Sequence, residues 1–530
     1  MTETVPNSPQ GSDAPSSTDQ GGLAAGPGPG EYRLHPWSWL FSASHQLKEL
    51  ILPLLAFVFF KRGDPDWLVL GALGALAAAS WGVLRARRYR YQIGQGELLV
   101  RAGVMDRTVR HIALARIQNV SQRRGPLHRL LGVTELRLES ASGGKPEALM
   151  RVLSLPAAAQ LEDLLRGAQP QAGSANPSAV ETAVPARLLH ALHLGDLIRH
   201  GLVSNRGTLV LAAGLGLLAQ NSELLPGRRQ LLGAILEPAR QWLKHEMALQ
   251  HWALVLGAIL AVLLAVMLAL RVFSIAYAVL RYHGFRLELH GERLQADYGL
   301  VTTVRAGARL PRVQRLVLEQ TLLHRLLRRC RLAVEVSGGA SSQAADAEAR
   351  LSELAPIASP EQARALLQVC VPGLDLSTLQ WQGLHPGTAA RRLRGALRGV
   401  LLVTALVVVA DMLLHWLLPW PLIVAGVLLA TGGAWAHARA WAGFAGYTVH
   451  ADWLVYRCGV FGQRWVIVMP QRLQSVSVLE SPFDRRAGMQ RLRADAQGGT
   501  KSGHALDIAY LSVAQAQGLR ELVWSRIAGA

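Results

Sequence analysis

The sequence is short of cysteine and of aromatic residues, and both shortages exclude classes of protein. Its 530 residues contain three cysteines, Cys330, Cys370 and Cys458. An odd number without a CxxC pair predicts neither a disulfide framework nor a cysteine-bound zinc ion. Aromatic residues make up 6% of the chain, too few to favour a surface on which nucleic-acid bases stack. We therefore predict reduced, buried thiols and no nucleic-acid partner.

Acidic residues are also scarce, and the imbalance of charge indicates the kind of surface that the chain contacts. Asp and Glu number 36 against 55 Lys and Arg, which leaves a net charge of +19. Basic chains bind either nucleic acid or an anionic membrane surface. Because half of the residues are hydrophobic, we favour the membrane.

Common catalytic motifs are missing as well. The sequence has no P-loop, no GxSxG, no HExxH and no glycine-rich dinucleotide turn, so we predict no enzyme, no cofactor and no metal site. The stretch "HALHLGDLIRH" is the one place with metal-ligand spacing, if it is helical. Its side chains also suit the polar side of an interfacial helix, and we favour that interpretation for His190, His193, Asp196 and His200.

One phrase of the sequence occurs three times, in register. Each copy contains Arg-x-Gln, a Gly-apolar pair 13 residues before the arginine, and a His or Asp followed by Arg 12 residues after it. A Gly-Gly pair closes each copy. The landmarks are Gly103-Val104, Arg116, Gln118, His128-Arg129 and Gly143-Gly144, then Gly299-Leu300, Arg312, Gln314, His324-Arg325 and Gly338-Gly339, then Gly459-Val460, Arg472, Gln474, Asp484-Arg485 and Gly498-Gly499. The periods of 196 and 160 residues exceed any solenoid unit and predict a triplicated domain.

Hydrophobic spacers precede the three copies and predict six transmembrane helices in three pairs. The pairs fall within 45–84, 187–272 and 399–437. The clearest span, between His251 and Arg271, has 19 uncharged residues, enough to cross about 30 Å of hydrocarbon. The runs 50–60 and 207–220 are short for a crossing and need tilt or a neighbour. Residues 187 onward predict an interfacial helix, 221–248 an amphipathic helix on the outer face, and 1–30 a disordered tail.

The arginines that flank the spans predict the orientation. An even number of spans between copies places all three copies on one side of the membrane. Arginines cluster at the span ends that face the copies, at 85–88 and 391–398, so the copies and both termini are expected in the cytoplasm. Asp411 and His415, spaced i and i+4 in the fifth span, form a polar candidate site within the membrane. Trp416 and Trp420 indicate that the interface is near, and we favour a hydrated surface pair.

Inside each copy the hydrophobic period changes to two. "YRYQI", "ELLVRAG", "TVRHIAL" and "TELRLES" alternate and end at glycine or charged turns, which is typical of short antiparallel strands. The stretch "SLPAAAQLEDLLRG" follows with helical spacing, and the other copies end in the same way. A small antiparallel barrel closed by a C-terminal helix fits the pattern, with boundaries at 89–167, 282–370 and 444–527.

The chain resembles the bacterial pleckstrin-homology-like (YdbS/YdbT-like) membrane protein family. The resemblance rests on two spans followed by arginines, and on a strand-rich domain with R-x-Q, H-R-L-L-G and a closing helix. The triplication resembles its YdbT-like branch, and the likeness covers about residues 45–527. The resemblance implies an α+β membrane protein of the bacterial cytoplasmic (inner) membrane. Each pair of its six transmembrane helices would be followed by a PH-like antiparallel barrel or sandwich with a C-terminal helix. The second copy departs from the first at Arg328, which replaces Gly132, and the third departs at Asp484, which replaces the histidine.

Two interpretations of the repeated polar residues remain open. They either specify the fold, by binding backbone carbonyls at a strand junction, or line a groove for an anionic headgroup or a partner strand. We favour the first. The candidate binding residues are Arg116, Gln118, His128, Arg129, Arg312, Gln314, His324, Arg325, Arg472, Gln474 and Arg485.

For the whole chain we expect a non-enzymatic scaffold, lipid-proximal and cytosol-facing, in envelope homeostasis or stress resistance. The alternative is a transporter or export component with regulatory PH-like domains. Expected partners are the lipid bilayer, anionic headgroups, and a second copy or another PH-like membrane protein.

Overall fold

The computed structural model describes residues 31–33, 37–38, 41, 148–167, 186–207, 241, 252–336, 351–414, 420–496 and 505–528, and 73–140 apart from short gaps. The Gly-Gly pairs that close the three copies lie outside these residues. So do Val104, Arg116 and His415.

The first copy is built from strands β2 to β7 and a closing helix. The elements in chain order are β1 (Glu31–Arg33), β2 (Arg90–Gly94), β3 (Glu97–Ala102), β4 (Thr108–Ala113), β5 (Ile117–Arg124), α1 (Pro126–Leu130), β6 (Val133–Ser140), β7 (Ala148–Ser154) and α2 (Leu155–Gly167).

The second and third copies repeat this order. The second follows β8 (Arg187–Ala191), α3 (Leu194–Val203) and α4 (Trp252–Tyr282), and contains β9 (Arg286–His290), β10 (Arg293–Tyr298), β11 (Thr303–Arg309), β12 (Val313–Thr321), α5 (Leu322–Leu326), β13 (Cys330–Val336), β14 (Glu353–Ala358) and α6 (Pro360–Cys370). The third follows β15 (Gln382–Gly383), α7 (Thr388–Leu414) and α8 (Trp420–Phe444), and contains β16 (Gly446–His450), β17 (Trp453–Cys458), β18 (Gly462–Val468), β19 (Leu473–Leu479), α9 (Pro482–Arg485), β20 (Met489–Ala496), β21 (Leu506–Ser512) and α10 (Val513–Ala528).

A seventh strand for each copy comes from the chain before the hydrophobic spacer. β1 pairs with β2, β8 with β9, and β15 with β16, all antiparallel. The prediction of an interfacial helix from residue 187 is therefore wrong for 187–191. That stretch is extended because it completes the edge of β9, and the helix α3 begins only at Leu194.

The sheets continue from one copy into the next. The first four strands of a copy form one sheet and the last three begin another, and the last three strands of one copy join the first four of the following copy. The described strands give a four-stranded sheet β1-β2-β3-β4, two seven-stranded sheets β7-β6-β5-β11-β10-β9-β8 and β14-β13-β12-β18-β17-β16-β15, and a three-stranded sheet β19-β20-β21. The copies are thus fused edge to edge.

The two junctions between copies have the same register. At the first, Arg123 on β5 is opposite Val304 on β11. At the second, Glu319 on β12 is opposite Arg464 on β18. These are equivalent pairs, because each residue of the second pair lies one repeat period after its counterpart in the first.

The hydrophobic core follows the same continuity. The alternating strands bury one face, and the largest cluster of buried side chains combines the second copy with Val455 and Ile467 of the third. Leu192 and Leu197, from the segment before α4, pack into that cluster too. The second copy therefore shares its core with the third.

Three described helices are long and apolar enough to cross a membrane, over Leu260–Tyr282, Thr388–Leu413 and Trp420–Phe444. They match the predicted fourth, fifth and sixth spans. The predicted runs 50–60 and 221–248, all of 207–220 except Gly207, and part of 67–84 lie outside the described residues, so six spans in three pairs stay a prediction. α7 begins at Thr388 rather than near 399, because the Arg- and Ala-rich stretch before the span also favours helix.

The helix α3 packs tightly on the end of α4. A Cβ on Gly201 would lie 2.4 Å from the Cα of Ile275, and one on Gly207 would lie 2.5 Å from the Cα of Ser274. Nη1 of Arg271 donates to the carbonyl of Leu202 at 3.0 Å. The segment after β8 is thereby fixed to the end of a span.

Candidate functional site

The Arg-x-Gln sequence lies at the start of a strand, and its glutamine is at a β-bulge. In the second and third copies the arginine ends a 3-10 turn, Leu310–Arg312 and Pro470–Arg472. The pairing register of the following strand skips Gln118, Gln314 and Gln474 in the three copies. Each glutamine is therefore the extra residue of a β-bulge, a device that bends a strand and increases its twist.

The arginine of the phrase lies at the junction between copies. Nη1 of Arg472 donates to the backbone carbonyl of Val313 in the preceding copy. Burial lowers the pKa of Arg472 and of Arg312. Nη1 of Arg312 is buried with no hydrogen-bond partner among the described residues. The contact of Arg472 is of the type that the fold interpretation expects.

The His or Asp twelve residues later lies in the first turn of a short helix, three residues after its N-cap residue. In the second copy, His324 and Thr321 form a capping box at the start of α5, and Thr321 Oγ1 lies 2.9 Å from Nδ1 of His324. Burial and then the charge of Arg331 lower the pKa of His324 to about 4. In the third copy Asp484 takes the same position, and its backbone N–H donates to Ser481 Oγ at 3.1 Å. In both copies the side chain at this position meets the hydroxyl of the N-cap residue, since Ser481 Oγ donates to Oδ2 of Asp484 at 2.5 Å.

The arginine after the capping residue binds the next copy. Nη1 of Arg129 donates to the carbonyl of Leu300 at 2.6 Å, and Nη1 of Arg325 donates to the carbonyl of Val460 at 3.3 Å. Both acceptors belong to the Gly-apolar pair of the following copy. The repeated His-Arg and Gly-apolar landmarks are therefore two halves of one contact between copies.

The glycine landmarks hold positions of positive φ. Gly103, Gly299 and Gly459 have φ of 112°, 116° and 110°, and a Cβ on Gly299 would lie 2.0 Å from the carbonyl oxygen of Thr302. After the short helix, Gly132 and Gly488 have φ of 66° and 65°, and Arg328 at the same place has φ of 51°. The second copy thus keeps a left-handed turn with a residue that adopts it at a cost.

Apolar side chains are exposed where the copies meet the ends of the spans. The tip between β10 and β11 is bonded to the end of α4, since the N–H of Leu300 donates to the carbonyl of Leu280 at 3.0 Å. The tip between β17 and β18 lies against α8, where Phe461 and His437 stack with ring centroids 5.5 Å apart. We call the exposed apolar residues of these tips, of the equivalent tip between β3 and β4, and of the short helices the span-end rim: Met105, Leu127, Leu130, Leu300, Val301, Leu322, Leu323, Leu326, Phe461 and Phe483.

The third copy attaches to its own span through the same short helix. Arg391 Nε, in the first turns of α7, donates to Oδ1 of Asp484 at 2.9 Å. The guanidinium of Arg398 lies 4.4 Å from the ring centroid of Phe483. Hydrogen bonds from Ser481 and Arg391 outweigh burial and lower the pKa of Asp484. The departure from histidine at this position therefore adds an ion pair to the span.

A basic cleft of about 880 Å³ lies beside the rim in the second copy. It is formed between α3, α5 and the start of α6, where Ser359 caps the helix. Its lining is Arg199, Gln320, Arg325, Leu326, Leu327, Arg328, Arg329, Ser359, Pro360 and Glu361. Four arginines against one glutamate, next to a helix N-terminus, favour an anion in this cleft.

A buried carboxylate connects the span, the strands and the junction. Glu353 accepts hydrogen bonds from Tyr282 Oη at 2.6 Å and from Nη2 of Arg331 at 2.5 Å, and Nη2 of Arg206 lies 2.8 Å away. Burial raises its pKa, but Arg331 and Arg206 together outweigh burial and lower the pKa to about 2. Arg331 also binds Glu319, which pairs across the junction with Arg464. This network was not predicted from the sequence, because its members are far apart along the chain.

The histidines weighed as metal ligands are held apart by other contacts. Nε2 of His190 lies 3.1 Å from the carbonyl of Ile357, and the His200 ring meets Tyr282 edge-on at 5.1 Å. Asp196 pairs with Arg199 and Arg329. Burial lowers the pKa of His200 to about 4. Within the described ranges, no group of His, Cys, Asp and Glu is arranged to hold a metal ion.

The remaining candidates are placed as follows. Arg116 and His415 are not among the described residues, and neither is the side chain of Gln118. The His128 ring lies 4.1 Å from that of Phe41, and Asp411 is half-buried in α7. Gln314 is buried and Gln474 is exposed. The candidates among the described residues are therefore not gathered in one pocket but distributed along the junctions and the rim.

Seven antiparallel strands with a closing helix, present three times beside apolar helices, define a class of membrane protein with repeated PH-like domains. The chain matches the bacterial PH domain family over residues 49–169, 247–368 and 398–526, and it belongs to that family. It is 21% identical over 517 residues to the transmembrane protein YdbT of Bacillus subtilis, covering 93% of this chain and 97% of that protein. No solved structure matches it.

Proposed function

We propose that this membrane protein is a non-enzymatic scaffold of the bacterial cytoplasmic membrane, which holds three PH-like domains against the inner surface of the bilayer. The observation that carries the proposal is the span-end rim. Its side chains are exposed although they are large and apolar, as with Met105 at 83% and Leu326 at 78%. Exposed apolar groups at the end of a span are stabilised when they enter the lipid interface.

The charges around the rim support contact with anionic lipid. The cleft beside α5 carries four arginines, and each cation near an anionic leaflet contributes about 1 kcal/mol. The repeated Arg129 and Arg325 are bound to backbone carbonyls of the next copy. We therefore propose that Arg129 and Arg325 hold the copies together. The headgroup contact would belong to the other arginines of the cleft, Arg328 together with Arg199 and Arg329, which also pair with Asp196.

A lipid-borne quencher tests the rim directly. Val301 is at the tip of the β10–β11 hairpin, and Glu292 is at the opposite end of β10, about 20 Å away at roughly 3.3 Å per residue. The full chain is reconstituted in vesicles with a fluorophore attached through Val301→Cys or, as the control, Glu292→Cys. We expect a nitroxide on the lipid headgroup to quench the first label strongly and the second weakly.

Anionic lipid gives the second arm of the same experiment. Raising the phosphatidylglycerol fraction should increase quenching at Val301 if the arginines of the cleft contact headgroups. Equal quenching at both labels would reject the rim as a lipid-facing surface. The chain without an added cysteine, treated with the same fluorophore, gives the background from its own three cysteines.

A transporter or export component is the second candidate function, and Asp411 is the observation that favours it. Its carboxyl group is half-buried within the candidate span Thr388–Leu413. Acidic groups inside a membrane are costly and often belong to an ion pathway. The scaffold is better supported, because the rim involves all three copies. Envelope homeostasis or stress resistance is the setting that we propose for it.

A further inference from the structure

The two junctions inside the chain leave two strand edges that match each other. The equivalent of β12 in the third copy is β19, and the equivalent of β18 in the first copy is β4. In the part of the chain that the structure describes, no strand pairs with the outer edge of either one. The strands β5 and β12 thus pair with β11 and β18 of the next copy, whereas β19 has no following copy and β4 has no preceding copy to pair with.

Exposure shows what a partner would cover. Val317 on β12 is 3% exposed and Ile467 on β18 is fully buried. Their equivalents at the ends of the series are Ser477, which is exposed, and His111, whose side chain is 65% exposed. Val109 on β4 is also 52% exposed. The ends thus present the surface that a junction buries elsewhere.

Each edge carries little of the usual protection. Exposed edge strands are commonly blunted by lysine, proline or bulges, because an open row of backbone groups recruits other strands. β19 reads LQSVSVL, with no charge and no proline, and its bulge is confined to Gln474 at its start. β4 reads TVRHIA, with no lysine, no proline and one charged residue, Arg110. Both strands are therefore fit to pair.

We infer that β19 of one chain pairs antiparallel with β4 of a second copy of the same chain. The register follows from the internal junctions, in which Arg123 is opposite Val304 and Glu319 is opposite Arg464. The third-copy equivalent of Arg123 and Glu319 is Leu479, and the first-copy equivalent of Val304 and Arg464 is Thr108. Leu479 of one chain would therefore be opposite Thr108 of the other, and the neighbouring pair would be Val478–Val109. A second copy is the occupant because the complementary edge is present in this chain and the two edges do not pair with each other within it.

A further contact of the internal junctions has its counterpart at this edge. Arg129 and Arg325 bind the Gly-apolar pair of the next copy, whereas the side chain of their equivalent, Arg485, is 75% exposed and 3.6 Å from Glu480. In the assembly Arg485 would lie beside Gly103 of the second chain.

Head-to-tail pairing joins unlike surfaces and keeps every chain on the same side of the membrane, so it forms a ring or an open row. The polar residues at the two edges make this junction weaker than the internal ones. Confinement of the chains to one membrane raises their effective concentration and offsets part of that difference.

Disulfide trapping between full-length chains tests the register. Opposite residues of an antiparallel pair have Cα atoms about 4.5–5.5 Å apart, within the range of about 4.4–6.8 Å that a disulfide needs. One chain carries Val109→Cys and a second carries Val478→Cys, and the two are co-expressed and oxidised in the membrane. We expect a covalent dimer that requires both substitutions.

An out-of-register pair is the matched control. Ala113 lies on the same strand four residues from Val109, about 13 Å away, so Ala113→Cys with Val478→Cys should give several-fold less dimer. The chain with its own three cysteines gives the background. A chain with both Val109→Cys and Val478→Cys should give a ladder of covalent oligomers or one closed species.

Four results would overturn the inference. They are the absence of an in-register dimer in membranes that contain both chains, dimers formed by either single variant alone, a disulfide within one chain of the double variant, and a different protein bound at β19 in place of the second copy. Head-to-tail pairing goes beyond the proposed scaffold role and does not depend on contact between the rim and lipid. A failed disulfide and a failed quenching experiment are therefore separate outcomes.

Discussion

At the scale of single residues, the side chains of the repeated landmarks support the backbone, a role that their residue types alone do not predict. Glutamine in Arg-x-Gln is a bulge residue, and histidine or aspartate in the next landmark lies three residues after the N-cap of a short helix. Either residue type fits there, because both contact the hydroxyl of the N-cap Thr321 or Ser481. The left-handed position after the short helix is stricter, since it is glycine in the first and third copies and strains Arg328 in the second.

Relief of this strain gives a prediction for Arg328→Gly. A residue other than glycine in this conformation costs about 1–2 kcal/mol, while glycine loses about 0.5–1 kcal/mol through the entropy of the unfolded chain. We expect a net gain of about 1 kcal/mol or less, seen as a rise of a few degrees in the Tm of the detergent-extracted protein. Arg328→Lys is the control, since it keeps both charge and strain. A Tm that does not rise in Arg328→Gly, or rises equally in both variants, contradicts this account.

At the scale of elements, the sequence predicted the strands and the closing helices but not the partners of the strands. Alternation indicates a strand and its buried face, so the antiparallel sheets and the helices at 155–167, 360–370 and 513–528 could be anticipated. The pairing of β5 with β11 could not, because it joins residues separated by a pair of predicted spans. The helix predicted from residue 187 failed for the same reason, since β8 is extended only because β9 lies beside it. The repeated landmarks did contain a signal for the junctions, in the fixed spacing of His-Arg and Gly-apolar pairs.

The Glu353 network links several elements, and it predicts how stability depends on pH. The folded pKa of about 2 lies below the ordinary value of 4.5. The stabilisation is therefore complete above about pH 4.5 and is lost as the pH falls towards 2, and a difference of this size corresponds to about 3 kcal/mol. We expect Glu353→Gln to lower the Tm at pH 7, because Arg331 and Arg206 lose their shared anion.

The pH profile distinguishes this effect from simple damage to the core. Between pH 4.5 and 2 the Tm of the unmodified chain should fall more steeply than that of Glu353→Gln. Asp452→Asn serves as the control, since Asp452 is in an exposed pair with Arg526 and such pairs contribute little. Parallel profiles for Glu353→Gln and the unmodified chain would show that Glu353 does not carry the acid sensitivity.

At the scale of the whole molecule, the continuous sheets require the three copies to lie on the same side of the membrane. β11 can pair with β5, and β18 with β12, only if the spacers between them return the chain to the side it left. Each spacer must therefore cross an even number of times. The proposal that this side is the cytoplasm rests on the positive residues near the spans.

Reporter fusions test this orientation. Fusions after Gly167, after Leu374 and at the C-terminus should all report the cytoplasm, and a fusion at Ser222 should report the outside. A cytoplasmic signal at Ser222 would mean that 207–220 does not span and that the six-span count is wrong. A mixture of sides among the first three fusions would contradict the shared sheets themselves.

Because strands of successive copies pair with each other, one strand of each pair is synthesised long before its partner. About 180 residues lie between the end of β5 at Arg124 and its partner strand beginning at Thr303. A ribosome that adds about 5–20 residues per second needs on the order of 10–40 s to make them. During that interval the newly made β5 waits with an open edge, while the next spans enter the membrane. Premature pairing with another nascent chain is therefore the characteristic hazard of this architecture, and slow elongation between the copies would increase it.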